Sequence, residues 1–332
     1  MNICVYPSGA WGTAFALHCQ RAGHTTTLVS FEMEEALTMT SQRENPARLP
    51  GCHLPPDLQI GTELLPALME ADGVILASAS KHLGEAARAV AEARREATRL
   101  RWVVTLCKGL EPGKNRLPED VVKEHLPDLA YGVISGPTFA SQVARGRPSA
   151  LVLGMEDDAL AETLQDALTG PDLRIYRTSD VKGVELGGCL KNVYAIAAGL
   201  CDGLGLGDNS KAALLTRALH EMVRVGLTFG GRRETFYGLS GFGDLVLTCN
   251  GQESRNRTFG EAFAKGRSSN EILAGGTTVE GYHTARCFHE LCAEHKIDAP
   301  ILREVYETLY EGKSVESALR TLMAREPKPE HQ

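Results

Sequence analysis

Over the first 178 residues, short apolar runs alternate with stretches of helical period; beyond them the strand-like runs stop and helical periodicity continues nearly to the end. Alternation of this kind marks βαβ units, in which parallel strands are buried on both faces beneath crossover helices. Strands are predicted at residues 3–6, 25–31, 74–77, 102–106 and 132–134, with 151–153 and 173–176 extending the sheet. Helices are predicted at 13–22, closed by Gly23, and at 86–97. In the second half, Asp208-Asn209-Ser210 offers N-cap chemistry ahead of an apolar-periodic run that reaches Phe229 and ends at Gly230-Gly231. The expected fold class is therefore an α/β, Rossmann-type N-terminal domain with a parallel-rich sheet, followed by an all-α C-terminal domain. The boundaries read as 1–178 and 179–325, with 326–332, rich in charge and holding two prolines, as a frayed tail.

Charge and cysteine usage narrow the class of ligand. With 35 basic against 42 acidic residues the net charge is -7, so there is no basic stripe for nucleic acid and no polybasic membrane anchor. No segment approaches the ~20 apolar residues of a membrane span, and the N-terminus enters a strand pattern without a basic leader. The 9 cysteines are odd in number and scattered, without a C-x-x-C pair, which points to a reducing, cytoplasmic setting. Cys287, His289, Cys292 and His295 do not share one helix face, so they read as an amphipathic helix that happens to carry soft residues, and no metal is expected.

After the first strand comes Pro7-Ser8-Gly9-Ala10-Trp11-Gly12 and then a helix. A dinucleotide turn reads G-x-G-x-x-G here. Gly9 and Gly12 match its second and third glycines, while Pro7 stands in place of the first. Strand, turn and helix are in the order that puts helical N–H groups on a pyrophosphate; an ordinary βα turn is the plainer alternative. Glu32, just past the second strand, is placed to hold an adenosine ribose, or else to open a solvated helix together with Glu34 and Glu35.

In the helical half, Glu185-Leu186-Gly187-Gly188-Cys189-Leu190-Lys191-Asn192 sets a lysine and paired glycines inside an apolar helix. Glycines there cost of order 1 kcal/mol each and make sense where something approaches the backbone. A lysine in such surroundings has a lowered pKa, suited to proton transfer, or it snorkels at a helix rim. Asp244, in Gly241-Phe242-Gly243-Asp244-Leu245, is placed to orient a lysine or to cap the next segment. Ser254-Arg255-Asn256-Arg257 reads as a phosphate site at a helix start, or as a capped basic turn. Cys107-Lys108-Gly109 and Ser135-Gly136-Pro137-Thr138-Phe139 end predicted strands, where ligands of open α/β sheets bind.

Together these residues resemble the bacterial-type NAD(P)-dependent glycerol-3-phosphate dehydrogenases. The likeness is densest from Gly183 to Gly260, through Gly-Val-Glu-Leu-Gly-Gly, Leu-Lys-Asn-Val, Asp202-Gly203-Leu204-Gly205-Leu206-Gly207-Asp208-Asn209, Gly243-Asp244-Leu245 and Ser254-Arg255-Asn256-Arg257. It continues in Ala10-Trp11-Gly12-Thr13-Ala14, Leu49-Pro50-Gly51, Lys108-Gly109-Leu110-Glu111, Ser135-Gly136-Pro137-Thr138-Phe139-Ala140, Val279-Glu280-Gly281 and Ala299-Pro300-Ile301. The resemblance implies interconversion of sn-glycerol 3-phosphate and dihydroxyacetone phosphate, supplying phospholipid synthesis, with the site in the cleft between two domains of a homodimer. It implies Lys191 as general acid/base at the C2 oxygen, with Asp244 positioning it or contacting substrate. Lys108, Gly136, Thr138, Ser254, Arg255 and Asn256 would take the phosphorylated substrate. Ser8, Gly9, Ala10, Trp11, Gly12, Lys108, Ala140, Arg255, Val279 and Glu280 would take the cofactor.

Departures from the family pattern lie in the first half: Pro7 for glycine, Phe31 for the arginine that accepts an NADP 2′-phosphate, Ala77-Ser78-Ala79-Ser80 for Ala-Val-Pro-Ser, and Ser141-Gln142 for Lys-Glu. NAD or NADP is expected as cofactor, with a lean to NAD from Phe31 and Glu32. The competing readings are a related dehydrogenase of hydroxy acids or phosphorylated alcohols, and a non-catalytic nucleotide or metabolite sensor, motivated by Pro7.

Overall fold

The computed structural model describes residues 1–276, 278–327 and 329–330. Among the described residues there are ten strands: β1 (Asn2–Tyr6), β2 (Thr25–Val29), β3 (Glu44–Asn45), β4 (Leu49–His53), β5 (Gln59–Gly61), β6 (Gly73–Leu76), β7 (Trp102–Thr105), β8 (Ala130–Ser135), β9 (Ser149–Met155) and β10 (Leu173–Thr178). Eight form one sheet in the order β10-β9-β8-β7-β6-β1-β2-β5, and β3 pairs with β4 separately. Every neighbouring pair in the large sheet is parallel except β8–β9. The central strands β1, β6 and β7 are almost wholly buried, as strands covered on both faces must be. From β1 the chain builds outward through β2 to β5, then returns to β6 on the other side of β1. That reversal makes β1/β6 the switch point, and ligands of open α/β sheets bind beyond the carboxyl ends of the strands there.

Past β10 the chain is helical. The helix Val181–Gly203 is the centre of this domain: from Val181 to Leu200 every residue but Lys182 is buried. A helix apolar all round is one enclosed by other elements. Here Gly207–Thr228, Arg255–Ala264, Glu280–Glu294 and Pro300–Tyr310 pack around it. Glu185 joins this helix to the sheet domain, accepting the Glu119 N–H (2.9 Å) and the Tyr131 hydroxyl. Burial pushes its carboxyl up to about 8; the nearby ammonium of Lys123 is bonded to Glu119 instead.

The predicted strands fall on observed ones, and the first helix runs Ala10–Arg21. The helix predicted over 86–97 runs Leu83–Ala93. Asp208-Asn209-Ser210 does not cap its helix. Gly205 and Gly207, both at positive φ, turn the chain early enough to start the helix at Gly207, and Asp208 sits in its first turn, where an acid favours the dipole. Of the soft-residue segment, Cys287 and Cys292 are buried, His289 stacks on Tyr306 and His295 meets Phe229 edge-on. Of the predicted tail, Lys328, His331 and Gln332 lie outside the described residues.

Candidate active site

At the end of β1 the chain turns through Pro7–Gly12 into the helix Ala10–Arg21; the Tyr6–Pro7 peptide is cis. The helix begins at Gly9 with no side-chain cap and no acid in its first turn. Its first backbone donor with an internal partner is Thr13 N–H, bonded to Gly9 O at 2.8 Å, so the N–H groups of Ala10, Trp11 and Gly12 are open to an anion. The loop is held from behind: Asn45 Nδ2 donates to Ser8 O (2.9 Å) and to Thr13 Oγ1 (2.8 Å). At Gly12 an added Cβ would lie 2.0 Å from Pro7 O, whereas at Gly9 it would meet only Ala77 O, at 3.9 Å. Pro7 therefore leaves the turn closed and its phosphate-facing side bare, and these residues fit the pyrophosphate of a dinucleotide.

Opposite this turn two lysines meet one carboxylate. Asp244 opens the helix Asp244–Asn250 directly after a π-helical turn, Leu239–Gly243, and is fully buried. Lys191 Nζ donates to Asp244 Oδ1 (2.8 Å) and Thr248 Oγ1 (2.8 Å). Lys108 Nζ donates to Asp244 Oδ2 (2.7 Å) and Gly136 O (2.9 Å). The paired glycines of the long helix admit this assembly. A Cβ on Gly187 would lie 2.7 Å from Ser240 O, and one on Gly188 would lie 2.9 Å from Ser135 Oγ and 3.5 Å from Lys108 Cγ. The backbone that the sequence leaves bare is thus approached by the turn carrying Asp244 and by the strand end beside Lys108.

Burial lowers the Lys191 pKa to about 8; Asp244's charge opposes that fall, and the charge of Lys108 adds to it. Burial alone would raise Asp244, but the charges of Lys108 and Lys191 outweigh it and hold the carboxyl below its ordinary range. An ammonium has three donors; with two of Lys191's engaged, one N–H remains for a ligand oxygen.

The third group lies at the start of Arg255–Ala264. Ser254 caps this helix, accepting Arg257 N–H at 3.2 Å. Arg255 is exposed and has no hydrogen-bond or ion-pair partner among the described residues. Asn256 ties this end to the lysine centre: its Nδ2 donates to Asn192 Oδ1 (2.8 Å), its Oδ1 accepts Gly281 N–H (2.9 Å), and Asn192 in turn donates to Lys108 O (2.9 Å). Two contacts close the cleft between the domains. Glu280 accepts the N–H (3.1 Å) and hydroxyl (2.6 Å) of Ser80. Glu253 accepts from the Ser141 hydroxyl and from Gln142 Nε2 (2.9 Å), so the two residues that depart from the family pair meet a carboxylate next to Ser254.

A free phosphate-type arginine, a proton-bearing lysine and a nucleotide turn on one cleft fit a dehydrogenase of a phosphorylated substrate. Family profiles decide which: NAD-dependent glycerol-3-phosphate dehydrogenase N-terminus matches residues 2–161, and the C-terminus of the same enzyme matches residues 180–320. The chain belongs to the NAD-dependent glycerol-3-phosphate dehydrogenase family. A glycerol-3-phosphate dehydrogenase (NAD(P)+) of Thiobacillus denitrificans is 46% identical over 332 residues, covering 99% of this chain and 100% of that one. The corresponding Nitrosomonas eutropha enzyme is 43% identical over 329 residues, 98% of each chain. The crystal structure of glycerol-3-phosphate dehydrogenase from Coxiella burnetii superposes with a TM-score of 0.91 at 35% identity, over 97% of this chain and 98% of that one.

Of the residues singled out in the sequence, Trp11, Lys108 and Thr138 line one small cavity, and Lys108, Gly136, Lys191 and Asp244 form one hydrogen-bonded cluster. Ser254, Arg255 and Asn256 stand at one helix end, and Val279 and Glu280 at the start of another. Sequence reasoning missed Thr248, Asn192 as the bridge to Asn256, and Ser80. Thr248 carried a usable signal, since it lies four residues after Asp244 and so on the same helical face.

Proposed function

We propose that this chain interconverts dihydroxyacetone phosphate and sn-glycerol 3-phosphate with NAD(P)(H), in the cleft between a nucleotide-binding domain (1–178) and a helical substrate domain (179–325). The observation that carries the reading is Lys191, buried, held between Asp244 and Thr248, with one N–H unspent. A nicotinamide held at this cleft would supply or accept the hydride; this chain supplies and holds the proton. In reduction, Lys191 donates a proton to the C2 oxygen as the alcohol forms, and in oxidation it takes that proton back. Asp244 fixes Lys191 and Lys108 together. Lys108, Gly136 and Thr138 line the substrate's path. Ser254, Arg255 and Asn256, with the open N–H groups of their helix end, hold the phosphate. The Ser8–Gly12 turn takes the pyrophosphate, with Ala140, Val279 and Glu280 alongside the rest of the cofactor. In an acidic protein, Lys108, Lys191 and Arg255 give the local positive field that a phosphate ester needs.

Family membership supports a homodimer that works in the cytoplasm and supplies phospholipid synthesis. The nine free thiols, eight of them buried, suit a reducing compartment, and no helix among the described residues is long and apolar enough to cross a membrane.

The test of substrate class is Arg255→Ala, assayed with dihydroxyacetone phosphate and with dihydroxyacetone. A charged hydrogen-bonded contact contributes about 1.5–3 kcal/mol, so KM for the phosphate ester should rise ~10- to 100-fold. With cofactor saturating, so that any contact of Arg255 with it does not limit the rate, the slow reaction of the unphosphorylated ketone should barely change. Equal losses on both substrates, or better wild-type turnover on a hydroxy acid, would replace the phosphate assignment with the hydroxy-acid one.

A further inference from the structure

We infer that the end of β2 selects NAD(H) over NADP(H), with Phe31 and Glu32 as the specificity-determining residues; the inference rests on the dehydrogenase reading above. The carboxyl end of β2 lies on the same sheet edge as the Pro7–Gly12 turn, where the adenosine ribose of a dinucleotide sits. An NAD site presents an acceptor to the ribose 2′-hydroxyl there, whereas an NADP site presents an arginine to the 2′-phosphate.

The local geometry provides the acceptor. Ser30 is buried, and its hydroxyl accepts the Glu32 N–H at 3.2 Å. Glu32 is thereby held in extended backbone (φ -106, ψ 125) as the residue before the helix Met33–Gln42. Its carboxylate is exposed and has no hydrogen-bond or ion-pair partner among the described residues, which leaves both oxygens for a ribose diol.

No counter-charge for a 2′-phosphate is at hand in this segment. Phe31 occupies the position itself. Its ring is 51% exposed and leans on Tyr6 with centroids 4.7 Å apart, an uncharged surface beside the nucleotide turn. The arginines that follow are engaged elsewhere. Arg43 donates to the carbonyls of Leu54, Pro55 and Leu58, and Arg48 is paired with Glu35 at 2.8 Å. A 2′-phosphate placed here would meet a free carboxylate and no free guanidinium, an arrangement that rejects it by like-charge repulsion and a missing partner. The hydroxyl of NAD meets an acceptor at the same point.

The test measures binding of NADH and NADPH by quenching of protein fluorescence, and kcat/KM for each with dihydroxyacetone phosphate. The proteins are wild type, Glu32→Ser and Phe31→Arg/Glu32→Ser. Wild type should favour NADH by ~10-fold or more in both readouts, the scale of one unfavourable charge contact. Glu32→Ser should narrow the ratio from both sides, and the double variant should narrow it by a further ~10-fold or invert it. Wild type that binds NADPH as tightly as NADH, or a ratio unmoved in both variants, would overturn the inference. Inactivity of every protein with both cofactors would sink the dehydrogenase reading instead, and the binding ratio would still decide this one.

Discussion

Replacing Lys191 with alanine is expected to lower kcat for dihydroxyacetone phosphate reduction by ~10²- to 10⁴-fold, the range for loss of a positioned general acid/base. The size of the effect follows from the site's geometry. Among the described residues Lys191 is one of two ammonium groups on Asp244, and the other, Lys108, spends one donor on Asp244 and one on Gly136 O. Lys108 is held by Gly136 O and the other carboxylate oxygen of Asp244, so it does not occupy the place that Lys191 would leave empty. KM should change far less than kcat, because Arg255 and its helix end hold the phosphate independently of the lysine. Lys191→Arg keeps the positive charge but cannot exchange a proton near neutral pH, so it should stay impaired. Steady-state kinetics on both variants, beside a far-UV spectrum to show that they fold, make the test. Near-wild-type turnover in Lys191→Ala would remove the proton-transfer role from this residue.

Asp244→Ala should cost stability as well as rate. The carboxylate is fully buried between two ammonium groups, of which Lys191 is itself buried. Removing one partner of a buried ion cluster leaves its counter-charges unpaired in a low-dielectric setting, which typically costs about 3–5 kcal/mol. Denaturant unfolding would read this as a lower midpoint with little change in slope. Asp244→Asn is the gentler variant, keeping shape and hydrogen-bond acceptance at one atom. Since Asp244's charge opposes the burial that lowers Lys191, losing it should carry the Lys191 pKa further below about 8. The alkaline limb of the reduction profile should then move to lower pH. An unchanged midpoint in Asp244→Ala, with an unmoved limb in Asp244→Asn, would mean that the carboxylate does not control the lysine.

How far the sequence reveals all this differs between the halves. The inner strands are legible because a strand buried on both faces is an uninterrupted apolar run, as in Val74-Ile75-Leu76 and Trp102-Val103-Val104. Residues 33–61 are not. There β5 is a partly exposed three-residue edge strand, and β3 with β4 forms a two-stranded piece whose sequence, Glu-Asn against Leu-Pro-Gly-Cys-His, carries no alternation. The long helix Val181–Gly203 announces its period but not its orientation, because a helix enclosed on every side has no polar face to point outward. Lys191 and its glycine pair were visible for that reason: charge and missing side chains are conspicuous in an apolar helix. What stands opposite them is set by tertiary packing. Nothing in the spacing from Gly188 to Ser135, or from Asn192 to Asn256, encodes that these residues touch. Pro7 is the converse case, a departure that reads as damage to a glycine turn yet closes it, with its carbonyl against the bare Gly12.

The central claim, a buried lysine that passes a proton to a phosphorylated ketone, is tested most directly by the wild-type protein alone. Consumption of NADH and NADPH dependent on dihydroxyacetone phosphate would be followed across pH, together with the reverse oxidation of sn-glycerol 3-phosphate. Reduction needs Lys191 protonated and oxidation needs it neutral. With its pKa lowered to about 8, kcat/KM for reduction should therefore fall as pH rises through that value, and kcat/KM for oxidation should rise through the same window. No turnover with either cofactor, or turnover with both profiles flat across this window, would contradict the account.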